Sequence, residues 1–136
     1  MPELLPFDNA HLDGVINLCT AEGWPSFAAD RERAFRVLTA PGVTTVVAVD
    51  RDRVVGFAQM LSDGELQAYL ANVAVDHDRR GLGIGHALVT TALRLAGGER
   101  VDLLSEESAI PFYANFPHIR KPGFRLYPFY VEGEQK

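Results

Sequence analysis

A chain of 136 residues, 47% apolar and 23% charged, has the length and balance of one soluble globular domain over 1–136, which excludes a disordered or fibrous class. Thirteen Lys and Arg against eighteen Asp and Glu leave a formal charge of −5, which argues against nucleic acid as a partner. No apolar run approaches the roughly 18 residues of a membrane span, no leader-like segment opens the chain, and Cys19 is the only cysteine. An intramolecular disulfide and a cysteine-built zinc site are therefore excluded, and the chain reads as cytoplasmic. His11, His77, His86 and His118 show no paired ligand spacing, so no metal is expected.

Leu12, Val15, Ile16 and Cys19 recur at helical spacing after Asp8 and Asn9, either of which can cap the first turn, and predict a helix near 9–21. Gly23, Trp24 and Pro25 break that pattern. Phe27, Ala34, Phe35 and Leu38 resume a helical stripe that stops before Pro41-Gly42. Val43–Val49 and Arg53–Leu61 are rich in β-branched residues and flank the polar turn Asp50-Arg51-Asp52, the pattern of a hairpin. A third apolar run, Leu66–Val75, reads as a buried strand ending at Asp76-His77-Asp78. Ile84, Ala87, Leu88, Thr91 and Leu95 mark the inner face of a helix that Gly97-Gly98 terminates. Val101–Leu104 predicts a short strand, Ser108–Asn115 a brief helix, and Phe124–Val131 a last strand, which Pro128 confines to an edge or bulge. The expected order is ααβββαβαβ, with no repeat or linker dividing it.

Between the third strand and the following helix stand Gly81, Gly83 and Gly85. Glycines at alternate positions leave backbone N–H groups unshielded at the positive end of a helix dipole, an arrangement suited to a pyrophosphate. Arg79 or Arg80 can add charge from the rim. A nucleotide P-loop is excluded because His86-Ala87 stands where Lys and Ser or Thr are needed. The dinucleotide fingerprint is excluded too, since its third glycine would fall on His86.

Arg80-x-x-Gly83-x-Gly85 resembles the Arg/Gln-x-x-Gly-x-Gly/Ala signature of the GNAT acetyltransferase superfamily. Asn72-Val73-Ala74-Val75 before it and Ala87-Leu88-Val89 after it look like that family's strand and helix. Phe112-Tyr113 followed by Gly123-Phe124 resembles its Phe-Tyr…Gly-Phe segment, here with a longer interval that contains Pro117 to Pro122. The resemblance implies an α+β fold with a mostly antiparallel central sheet flanked by helices. It implies acetyl-CoA as co-substrate, held by the backbone of Val73, Ala74 and Val75 and by Arg80, Gly81, Leu82, Gly83, Ile84, Gly85 and His86.

Tyr113 matches the tyrosine that family members use as general acid toward the departing thiolate, a role suited to a phenol with a pKa of about 10. Glu22 and Trp24 match the segment that borders the acceptor cleft, and Tyr69 occupies a strand position where some members carry a glutamate. Neither Glu65 nor Glu106 stands out as a general base. The function implied is transfer of an acetyl group from acetyl-CoA to a primary amine of a small molecule or peptide by direct attack. The alternative is a non-catalytic acyl-CoA-binding sensor of the same fold. Neither reading requires nucleic acid or a membrane, and both leave room for a homodimer.

Overall fold

The computed structural model describes residues 1–129. By backbone packing it divides into two units, Met1–Leu103 and the described residues from Leu104 on. The first holds a five-stranded sheet whose spatial order follows the chain: β1 (Glu3–Pro6), β2 (Val43–Asp50), β3 (Arg53–Ser62), β4 (Gln67–Val75) and β5 (Arg100–Asp102). The first four pair antiparallel, whereas β5 pairs parallel to β4 because a helix crosses between them. Among the described residues no helix is long and apolar enough to cross a membrane.

Helices cover both faces. On one lie α1 (Leu12–Ala21) and α3 (Arg31–Thr39), with the single turn α2 (Ser26–Ala29) between them in the chain. Leu12, Val15, Leu18 and Cys19 of α1 and Ala34 and Leu38 of α3 pack with Val47, Phe57 and Ala74 of the sheet into one buried cluster. Side chains alternate across a strand, so their neighbours face the other way, where α4 (Ile84–Ala96) lies. A Cβ on Gly56 would stand 2.9 Å from Leu88 of α4, which shows how closely that helix is seated. Asp8 caps the turn leading into α1 by accepting from the Ala10 N–H at 2.8 Å, and Asp30 caps α3 through the Arg33 N–H at 3.1 Å.

The expected sheet and helices are present, with three differences, the first being that the stripe from Phe27 to Leu38 is two helices, α2 and α3, parted at Asp30, whose extended backbone and capping carboxylate start α3 afresh. The strand β1 was not anticipated: four residues ending in Pro6 carry little periodicity, and an edge strand tolerates a residue without an N–H. The expected last strand over 124–131 does not form in residues 124–129, which run without strand pairing into a turn at Pro128-Phe129. Tyr130 and Val131 lie outside the described residues. In this second unit a 3₁₀ turn at Glu107–Ala109 leads into α5 (Ile110–Tyr113).

Burial, with the Glu22 charge adding to it, pushes the Cys19 thiol from its ordinary 9.0 up to about 12. The protonated, enclosed thiol should resist a disulfide reagent at pH 8 in the native protein and react at once in denaturant. Because folding raises this pKa, the contribution to stability is whole below pH 9 and is lost as the pH climbs toward about 12. Denaturant unfolding across that window should show a steeper decline for wild type than for Cys19→Ala; parallel curves would remove the thiol as the cause.

Candidate functional site

The site is built on the unequal edges of β4. Its β3 edge is paired from Ala68 to Val75 apart from one bulge, but β5 meets only Gln67, Ala68 and Tyr69 on the other. Past the last pair the strand is also bent, because Gln59 faces Asn72 while Met60 faces Leu70, so Ala71 is an extra residue. The Asp76 N–H donates to Val55 at 2.8 Å on the β3 side. By alternation the backbone groups of Ala74 share that side, and those of Val73 and Val75 point to the open edge. Among the described residues no strand pairs with β4 there.

Beyond β4 the chain makes a short 3₁₀ turn at His77–Arg79 and then the glycine loop. Gly81 and Gly83 have φ of 78° and 85°, the left-handed region that glycine enters without a Cβ penalty. Gly83 is the N-cap of α4, and the first helical bond is Ala87 N–H to the Gly83 carbonyl at 3.1 Å. The amides of Gly83, Ile84 and Gly85 thus precede the helical ladder at the positive end of a 13-residue helix. A Cβ built on Gly81 or Gly83 would meet nothing within 4 Å, so open space lies before the loop. Leu82 and His86 are exposed, and Ile84 is buried as the anchor of the first turn.

Both loop arginines are held. Arg79 Nη1 donates to Asp50 Oδ2 at 2.7 Å, and this bond holds the Asp50 carboxyl below the usual carboxylate range. Arg80 Nε–H donates to the Val75 carbonyl at 3.2 Å, while its Nη2 is paired with Glu22 at the end of α1. Glu22 also lines a cavity of about 470 Å³ between α1 and the strand ends, together with Asp13, Asn17, Arg53, Val75 and His77.

The structure therefore brings Arg80, Val75 and Glu22 together. Trp24, two residues beyond Glu22, is partly exposed, with its N–H bound to the Cys19 carbonyl at 2.9 Å. Tyr69 is placed apart from Glu22, in a cavity of about 340 Å³ lined by Pro41, Gly42, Val43 and Leu61. Tyr113 ends α5 in the second unit, its ring edge-on to Phe112 at 4.9 Å.

One feature of the bulge escaped the sequence reading. Gln59 is 3% exposed; its Nε2 donates to the Val37 carbonyl at 3.4 Å and its Oε1 accepts from Asn72 Nδ2 at 2.8 Å. A carbonyl can only accept, so it orients the Gln59 amide, and that amide in turn orients Asn72. The available signal was a single amide inside the apolar run Val54–Leu61. The Glu22–Arg80 pair spans 58 residues and left no local signal.

Comparison with known proteins points one way. The model of the acetyltransferase (GNAT) family matches residues 11–116. An uncharacterised N-acetyltransferase of Porphyra purpurea is 28% identical over 119 residues, 84% of this chain and 68% of the relative. Mycothiol acetyltransferase of Rhodococcus opacus (strain B4) is 41% identical over 56 residues, and the match spans 41% of this chain and only 18% of that protein. In fold, the chain is similar to the ribosomal-protein-alanine N-acetyltransferase of Brucella melitensis biovar Abortus 2308, with a TM-score of 0.76 at 16% identity over 93% of this chain and 98% of the other.

At Gly83 the backbone angle alone penalises a side chain, because no neighbour stands in the way. Gly83→Ala should cost roughly 1–2 kcal/mol, the left-handed penalty of an L-residue, and urea unfolding measures it. An unchanged or raised midpoint would show that the loop relaxes out of the left-handed conformation.

Proposed function

The chain belongs to the acetyltransferase (GNAT) family, and from that membership we propose that it is an acetyl-CoA-dependent N-acetyltransferase acting on a primary amine of a small molecule or peptide. The observation that carries this reading is the pairing of two backbone features: left-handed glycines with free space at the start of α4, and an unpaired strand edge at Val73 and Val75. Amides of Gly81, Leu82, Gly83, Ile84, Gly85 and His86 bind the pyrophosphate, whose charge the helix terminus stabilises. Backbone groups of Val73 and Val75 pair with the amides of the pantetheine arm as a further strand would, with Ala74 between them anchoring the strand in the core.

An N–H on that edge also receives the thioester oxygen. As the neutral amine attacks the carbonyl carbon, negative charge grows on the oxygen and the hydrogen bond strengthens, which lowers the barrier. The C–N bond forms, the C–S bond breaks, and the sulfur leaves as a thiolate that takes the Tyr113 phenol proton. The attacking nitrogen loses its surplus proton to water. Trp24 and Tyr69 are assigned to the acceptor side.

Acetyl-CoA should raise the melting temperature, by the equivalent of about 2.7 kcal/mol at a hundredfold excess over Kd. Gly83→Glu should abolish the shift, because the side chain and its charge enter the space before the amides; a retained shift would place the phosphates elsewhere.

Tyr113→Phe keeps the ring against Phe112 and removes one oxygen, so acetyl-CoA affinity should hold. Turnover with an amine acceptor found by screening should fall roughly ten- to a thousandfold, as for loss of a general acid. The loss should shrink with an acyl donor whose thiol leaves more readily. Wild-type turnover under chemistry-limited conditions would make Tyr113 a packing residue.

A further inference from the structure

The backbone at the end of α1 is pinned by four hydrogen bonds. The Glu22 N–H donates to the Leu18 and Cys19 carbonyls at 3.1 and 3.2 Å, and the Gly23 and Trp24 amides return to Thr20 and Cys19 at 3.0 and 2.9 Å. From this fixed point the Glu22 side chain, 23% exposed, reaches Arg80 Nη2. The Nε–H of the same guanidinium is committed to the Val75 carbonyl at 3.2 Å. A guanidinium carries five N–H donors in a rigid plane, so two contacts fix its position and orientation and leave three donors for another acceptor. Arg79, by contrast, is turned toward Asp50 of the hairpin, so the two arginines are steered apart by different carboxylates.

We propose that Glu22 is a positioning residue for the acyl-CoA site: from α1 it grips Arg80 so that the remaining guanidinium donors stand ready beside the glycine loop. The proposal rests on the acetyl-CoA reading above and moves Glu22 from the acceptor side to the donor side. Its physical basis is preorganisation. An arginine at the rim of a phosphate site must give up its rotamer freedom when it engages an anion, and a side chain already held from two directions has given it up beforehand. The same pair couples the end of α1, next to Trp24, to the loop that opens α4.

Calorimetric titration of acetyl-CoA into wild type, Glu22→Ala, Glu22→Gln, Arg80→Ala and the Glu22→Ala/Arg80→Ala double variant tests this, with a melting curve for each. Glu22→Ala should weaken binding by roughly three- to tenfold, the scale of ordering one long side chain. Glu22→Gln keeps an oxygen acceptor of the same shape and should restore affinity to within about twofold of wild type. In the Arg80→Ala background, removing Glu22 should cost nothing further, because its effect passes through the guanidinium. Raising the salt concentration should weaken binding less in Arg80→Ala than in wild type. An equal loss of affinity from Glu22→Ala in both backgrounds, or no loss in either, overturns the proposal while leaving the acyltransferase reading intact. A wild-type protein that fails to bind acetyl-CoA overturns the reading itself, and the proposal with it.

Discussion

The hydrogen-bonding capacity of β4 is the constraint on which the rest of the structure depends. Every strand residue carries a donor and an acceptor that need partners, yet β5 stops at Tyr69 and leaves the edge at Val73 and Val75 open. The protein meets part of that need locally, with Arg80 Nε–H on the Val75 carbonyl. The bulge at Ala71 belongs to the same arrangement, because it bends β4 at the end of the paired section and lets Gln59 and Asn72 meet. An open sheet edge is usually a liability. Here it is short and flanked by a glycine loop, and in the proposed function it becomes the surface that holds the acyl donor.

Charge is organised by local pairing and not by net balance. Arg53 with Asp76, Arg79 with Asp50 and Arg80 with Glu22 ring the end of the sheet near the loop. Exposed pairs of this kind add little to stability. Their effect is geometric: they hold long side chains in place around a backbone that itself has few side chains to hold it. The proposed phosphate contacts come from peptide N–H groups, which need no titration and keep their direction as long as α4 keeps its first turn.

Where the sequence was informative, the information was local. The heptad-like stripe of α1, the hairpin turn at Asp50 to Asp52 and the three alternating glycines each follow from properties of a few neighbouring residues, and each element stands close to where it was expected. What could not be read depends on partners far along the chain. The strand β1 exists because Val46–Val49 offers an edge, and Leu4 and Leu5 alone say nothing of that. Phe124 to Phe129 has the side chains of a strand without the pairing of one. The extra residue at Ala71 cannot be counted until β3 is laid beside β4, and the contact between Glu22 and Arg80 appears only once α1 has been packed on the sheet.

The spatial order of the strands carries a consequence for how the chain folds. All five strands lie side by side in the order in which they are made, and three of them, β2, β3 and β4, pair across turns of a few residues and at small entropic cost. The strand β5 is different: its parallel pairing with β4 requires the chain to run through the glycine loop and the whole of α4 first. Two pairings therefore close long stretches of chain, β1 on β2 across the first three helices and β5 on β4 across α4, and both follow the β2–β3–β4 meander. The two edges of the sheet are thus set after its centre. Substitutions within β5 should change chiefly how fast the protein comes apart, and those in the β2–β3 hairpin how fast it forms.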